Sequence, residues 1–227
     1  MLAASSMSNV LTEVNERFLE AHPCVTAVSY SFGSSATLAA QIVNGSPADV
    51  FISASDETMN TVKNAGKTIA PTLFARNVAE IMVSSQSKLR QTITDVGSLS
   101  DSSNPGIKVG LCVATAPCGS VADAVLTTVG QSRASIADTE SPSVEDLVTK
   151  IKLGELDAGI VFHSDCKYAE QRSEAFCIAI SEASDKSTNY LVGAINSRAP
   201  TQQYVDYING SDFQEELQTT YGFLAPR

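Results

Sequence analysis

Short, largely apolar runs recur along this chain at residues 50–52, 79–83, 107–111 and 158–162, and helix signals stand between them. Runs this short fall below helix length and suit strands buried on both faces, which is how parallel sheets read. The intervening helices carry their own punctuation. Residues 7–21 place Val10, Leu11, Val14 and Phe18 on one stripe, with Ser6 or Ser8 as N-cap. A second helix is expected over 37–44, stopped by Gly45. Asp56 is expected to cap a helix to about 65, a Pro117-Cys118-Gly119-Ser120 turn to open one to 129, and Ser143 to cap one to 153. Residues 25–32, 176–180 and 190–195 read as further strands, and 201–221 as two helices broken at Gly210. Strands alternating with helices predict an α/β fold with mainly parallel sheets flanked by helices.

The chain has 227 residues, enough for one large domain or two small ones. No apolar run approaches the 18 or so residues a membrane span needs. The opening Met1-Leu2-Ala3-Ala4 lacks the basic and apolar regions of a signal peptide, and the first strand is expected to begin upstream of Met1. The formal net charge of -10 argues against nucleic acid, which requires a basic face. It does not exclude a small anion, because backbone N–H groups and hydroxyls act at short range while distant charge is screened.

Five cysteines (Cys24, Cys112, Cys118, Cys166, Cys177) include no Cys-x-x-Cys pair, and the only histidines are His22 and His163. No direct cation site, zinc included, is expected. The spacing suggests two local disulfides, Cys112–Cys118 and Cys166–Cys177, with Cys24 left over; the alternative is five reduced, buried thiols.

Four helices start directly after a strand, near Ser6, Ser35, Gly119 and Ser143. A helix N-terminus presents free N–H groups and a partial positive charge. In α/β sheets, ligands gather beyond the carboxyl ends of the strands, where such turns lie. Any one of these turns is explained equally well as a plain N-cap, so the pattern informs only if several converge.

Several stretches carry a family resemblance. Ala3-Ala4-Ser5-Ser6-Met7-Ser8-Asn9 is similar to the opening motif of periplasmic molybdate-binding proteins of ABC transporters. Residues 32–42, with Gly33-Ser34-Ser35, and 45–54, with Ser46-Pro47-Ala48-Asp49, resemble that family's most distinctive block. Pro117-Cys118-Gly119, the 155–162 segment and the closing Tyr221-Gly222-Phe223 are weaker matches in the same order. The resemblance implies a two-lobed fold of the type II periplasmic-binding-protein kind with a hinged cleft. Lobe I would comprise 1–78 plus 196–227, and lobe II 79–195. It implies a monomeric, extracytoplasmic solute-binding protein of an ABC importer, periplasmic or extracellular, either free or anchored through a segment outside this chain. Its ligand would be a tetrahedral oxyanion, molybdate or tungstate, and its protein partner a membrane permease, with no cofactor and no catalysis.

The resemblance also implies the donors: the hydroxyls of Ser6 and Ser35, the backbone N–H groups of Cys118 and Val144, and the position of Phe162. Two departures stand out. Where the family often has a tyrosine donor after Gly-Ile-Val, this chain has Phe162, which has no hydroxyl. The Pro-Cys-Gly turn is also one residue longer than is common. Thr115, Ser120 and His163 are the candidates for the missing donor. The expected site contains no Arg or Lys; a dianion held by many neutral, preorganised donors does not need them. A donor-only cavity suits fully deprotonated oxyanions, and hydrogen phosphate fits it worse.

Three other readings compete. An enzyme is disfavoured because no Gly-x-Ser-x-Gly elbow appears and His163 has no evident serine partner. The ligand-sensing domain of a transcription regulator would share the architecture, but this chain has no basic DNA-binding segment. A binding protein for another oxyanion, such as sulfate, would differ in cavity size, which the sequence does not reveal.

Overall fold

The computed structural model describes residues 1–100, 102–183 and 186–226. The chain folds as two compact units, Met1–Arg76 with Asn189–Arg227 and Asn77–Thr188. In chain order the first unit contributes β1 (Leu2–Ala4), α1 (Ser8–Ala21), β2 (Ser31–Gly33), α2 (Ser35–Val43), β3 (Val50–Ser53), α3 (Asp56–Asn64) and β4 (Ile69–Asn77). The second contributes β5 (Ala79–Ser84), β6 (Val109–Cys112), α4 (Pro117–Thr128), β7 (Thr139–Ser141), α5 (Val144–Lys152), β8 (Ala158–Phe162), α6 (His163–Gln171) and β9 (Ala175–Ala179). The chain returns to the first through β10 (Thr188–Ala194), α7 (Ala199–Asn209) and α8 (Ser211–Thr219).

The first unit is built on a sheet of order β2-β1-β3-β10-β4. Strands β2, β1 and β3 run parallel, whereas β10 is antiparallel to β3. Alternation along β3 divides the core. Val50 and Ile52 pack with Val10, Leu11, Val14 and Phe18 of α1 and with α7 and α8, while Phe51 packs with Leu38 and Ile42 of α2 and Met59 of α3. The predicted stripe on α1 is therefore a buried face. At about 1.5–3 kcal/mol per fully buried large apolar side chain, its four residues contribute on the order of 6–12 kcal/mol before conformational entropy is charged against them.

The second unit has the order β7-β6-β8-β5-β9. Here β7, β6 and β8 are parallel and β5 is antiparallel to both β8 and β9. Val109, Leu111 and Ile160 face Ala122, Val125 and Leu126 of α4; on the other side Met82 and Val161 join Leu147 and Ile151 of α5 and Ala169 of α6. Both sheets are thus mixed: a parallel trio with one antiparallel neighbour, β10 in the first and β5 in the second. The second unit ends before the expected 195 because β10 pairs with β3, Leu191 opposite Ser53, and so lies in the first sheet.

Local details depart from the sequence reading. Residues 25–32 were expected as a strand, yet only Ser31–Gly33 pairs. Helix α2 begins at Ser35 rather than 37, Ser55 rather than Asp56 caps α3 by accepting from the Thr58 N–H, and Ser143 caps α5 as expected. Strands β4 and β7 and helix α6 were not anticipated. Both predicted disulfides, Cys112–Cys118 and Cys166–Cys177, are formed and Cys24 is an exposed thiol. No helix among the described residues is long and apolar enough to cross a membrane.

Candidate functional site

In the first unit, three neighbouring parallel strands end side by side. Ala4 of β1 lies opposite Gly33 of β2, and Ala3 opposite Ile52 of β3. The chain leaves each strand into a helical turn at the same carboxyl edge. After β1, residues Ser5–Met7 form a 3-10 turn running straight into α1; after β2, Ser34 leads into α2 at Ser35; after β3 come Ala54 and Ser55. Ser6 and Ser35 therefore share one edge of one sheet, 4% and 1% exposed.

Neither serine caps a helix by a side-chain hydrogen bond, which corrects the expectation for Ser6 and Ser8: Met7 occupies the N-cap position of α1 and Ser34 that of α2. Their hydroxyls have other partners. Ser35 Oγ accepts from the Ala54 N–H at 3.0 Å. Ser6 Oγ lies 2.7 Å from Tyr190 Oη, a pair separated by 184 positions in sequence. Tyr190 opens the central part of β10, one residue from the Leu191–Ser53 register, and so stands at this same edge. Sequence reasoning missed it. The only signal was general: a tyrosine in an otherwise apolar strand must find a partner for its hydroxyl when buried.

The second unit repeats the arrangement. Strands β7, β6 and β8 run parallel as neighbours, and each is followed by a helix: α5, α4 and α6 in that order. Cys118 is the second residue of α4, Val144 the first of α5, and Phe162 the last of β8, serving as the N-cap position of α6. All three belong to one buried apolar cluster, with Cys112 and Ala116. At their carboxyl edge the backbone N–H groups of three helix starts are gathered, and the partial positive charge of each adds to the next.

The α4 turn is pinned from several directions. The Cys112–Cys118 disulfide ties the last residue of β6 to the helix start. Gly119 is pressed onto the strand end: a Cβ there would lie 2.8 Å from the Cys112 carbonyl oxygen and overlap that of Val113, so only glycine fits. The Arg133 guanidinium donates to the carbonyls of Cys112 and Gly119 and pairs with Asp123 at 2.9 Å and Glu140 at 3.0 Å. Sequence reasoning did not single out Arg133. Its charge is matched by two carboxylates, so its work is geometric.

Three carboxyl groups stand in the first turns of α5 and α6: Glu145, Asp146 and Asp165. Burial above all, then the nearby Glu145, pushes the Asp165 carboxyl well above the ordinary carboxylate range, against a backbone hydrogen bond at Phe162. Burial raises Glu145 as well. The raised carboxyl of Asp165 makes a negative charge beside the α6 start less favourable, whereas Asp146 in the first turn of α5 is lowered, desolvation being outweighed by its partners Lys150 and Ser141.

The candidates for the missing donor fare unequally. His163 Nδ1 pairs with Glu80 Oε1 at 2.9 Å, so its ring is already engaged within this unit. Thr115 and Ser120 are exposed. Glu80, Cys166 and Cys177 come close enough together to suggest a metal cluster, but both sulfurs are committed to the disulfide.

The molybdate-binding protein ModA of Mycobacterium tuberculosis is 28% identical over 230 residues, spanning 100% of this chain and 84% of its own length. ModA of Escherichia coli K12 is 27% identical, over 98% of this chain and 87% of the relative. The structure superposes on the periplasmic molybdate-binding protein of Azotobacter vinelandii with a TM-score of 0.82 at 20% identity, covering 100% and 98% of the two chains. The family model for bacterial extracellular solute-binding proteins matches residues 1–224, and the chain belongs to that family.

Proposed function

We propose that this protein captures a tetrahedral oxyanion, molybdate foremost and tungstate by the same chemistry, and delivers it to the membrane permease of an ABC importer. The observation that carries the reading is the repeated edge: in each unit the expected donors stand where three adjacent parallel strands end in helix starts. Ser6 and Ser35 would supply hydroxyl donors, and Cys118 and Val144 backbone N–H donors. Phe162 would contribute an apolar wall and no hydrogen bond. The molybdate-binding relatives, matched along the whole chain, support the choice of anion.

Such a site works without a counter-charge. Fixed N–H and O–H dipoles stabilise a dianion because they are already oriented, and excluding water strengthens each bond. Binding involves no metal cation, nucleotide or bond-making step. Two disulfides suit an oxidising compartment outside the cytoplasm, and the chain is proposed to act there as a monomer.

Calorimetry of the purified protein with molybdate, tungstate, sulfate and phosphate tests this directly. Saturable 1:1 binding of molybdate or tungstate, tighter than that of sulfate and phosphate, is expected. Absence of heat and of thermal shift with all four would reject the oxyanion reading.

A further inference from the structure

The two serines of the first unit differ in one respect that bears on selectivity. A serine hydroxyl has one proton and two lone pairs, and its rotor turns to suit its neighbours. For Ser35 the direction is set by chemistry. A backbone N–H only donates, so the Ala54 N–H at 3.0 Å occupies a lone pair and leaves the Ser35 proton to point elsewhere. For Ser6 and Tyr190, at 2.7 Å, either oxygen is able to donate.

We infer that Tyr190 donates to Ser6, holding Ser6 as an outward-pointing donor and making this hydroxyl pair select oxyanions that carry no proton. The inference rests on the proposed oxyanion site and adds to it a positioning residue that enforces the donor-only character already expected there. Two chemical arguments support the direction, and the packing of the ring supports the placement. A phenol, with a pKa of about 10, is far more acidic than an aliphatic alcohol, so the phenol is the better donor and the serine oxygen the better acceptor. A dianion near Ser6 reinforces that choice, because a chain from Tyr O–H to Ser O–H to anion polarises in one sense. The ring is also held in place: Tyr190 is 0% exposed and meets Phe223 edge-on at 5.1 Å and Phe74 at 6.4 Å. Its hydroxyl is therefore presented to Ser6 by packing rather than by chance rotation.

The consequence concerns protonated ligands. Molybdate, tungstate and sulfate present only acceptor oxygens near neutral pH, so two outward hydroxyl protons complement them. Hydrogen phosphate carries an O–H that needs an acceptor. With one lone pair of Ser35 Oγ receiving the Ala54 N–H and one of Ser6 Oγ receiving the tyrosine, each hydroxyl has fewer ways to turn an acceptor toward that O–H while its proton faces the anion. Such a restriction, acting against the protonated ligand, is one of the ways specificity is built.

Tyr190→Phe keeps the ring and removes only the hydroxyl. Binding of molybdate, sulfate and phosphate is measured at pH 7 on the unaltered protein, Tyr190→Phe, Ser6→Ala and the double variant, with circular dichroism and thermal unfolding as folding controls. Tyr190→Phe is expected to lower molybdate and sulfate affinity about tenfold (about 1.4 kcal/mol) while phosphate loses less or gains, narrowing the molybdate-to-phosphate ratio. Because Tyr190 acts through Ser6, adding Tyr190→Phe to Ser6→Ala should cause little further loss. Unchanged affinity in Tyr190→Phe, or an equal additional loss in the Ser6→Ala background, overturns the inference and leaves the proposed function standing. If Tyr190→Phe does not fold, Ser6→Ala decides: a molybdate-to-phosphate ratio unchanged from the parent overturns the inference, and a narrowed ratio supports it. No binding of any anion by the unaltered protein removes the proposed function and this inference with it.

Discussion

Replacing Ser35 with alanine separates two roles that one hydroxyl holds. Ser35 is the first residue of α2, not its N-cap, so no capping bond is lost. What is lost first is the acceptor for the Ala54 N–H, in a residue that is itself 2% exposed. A buried donor left without a partner costs about 1–3 kcal/mol. For a protein of this size each kcal/mol lowers Tm by roughly 2–4 °C, which puts the shift at about 2–12 °C. Against a typical total stability of about 5–15 kcal/mol the variant remains folded. The second loss is the hydrogen bond to a charged ligand, about 1.5–3 kcal/mol, or about ten- to a hundredfold or more in Kd. Thermal unfolding without ligand measures the first, and molybdate calorimetry well below Tm measures the second. A lowered Tm with parental affinity would place the anion elsewhere and refute the donor assignment. Parental Tm and parental affinity together would refute the reasoning about both hydrogen bonds.

Three further outcomes follow from the second unit. Gly119→Ala forces a methyl against the Val113 and Cys112 carbonyls and should destabilise the protein by about 1–3 kcal/mol or more while weakening anion binding; thermal unfolding at parental values would show that the turn yields freely. Asp165→Asn should flatten the dependence of stability on pH. A carboxyl raised in the folded state makes the fold lose stability as pH climbs from the ordinary value of 3.8 toward the raised one, and the amide has no proton to lose, so identical stability profiles of parent and variant from pH 4 to 8 would contradict a raised Asp165. Peptide mapping of unreduced protein should recover Cys112 linked to Cys118, Cys166 linked to Cys177, and a thiol at Cys24 that reacts with iodoacetamide; five reactive thiols would oppose it.

The parts of this molecule that were legible in the sequence are those decided by local chemistry. Apolar runs at 79–83 and 158–162 became strands because neither face of such a segment tolerates water. The stripe on α1 became a buried face, and Ser143 became a cap because its hydroxyl reaches the Asp146 N–H three residues on. The family resemblance named Ser6, Ser35, Cys118, Val144 and Phe162 as expected donor positions, and each stands at the carboxyl edge of a parallel trio.

Tertiary structure decided the rest. Strand β4 opens with exposed residues around Ile69, and its identity comes from pairing beside β10 in the sheet, not from a period in its own sequence. Helix α6 has a largely polar sequence and forms where β8 ends. Above all, the partners of the two serines come from elsewhere in the chain: Ala54 lies 19 residues from Ser35 and Tyr190 lies 184 from Ser6. Local sequence determines which residues are able to donate a hydrogen bond. Which distant group fills a hydroxyl's lone pair is set only by the packing of β3 beside β1 and of β10 beside β3.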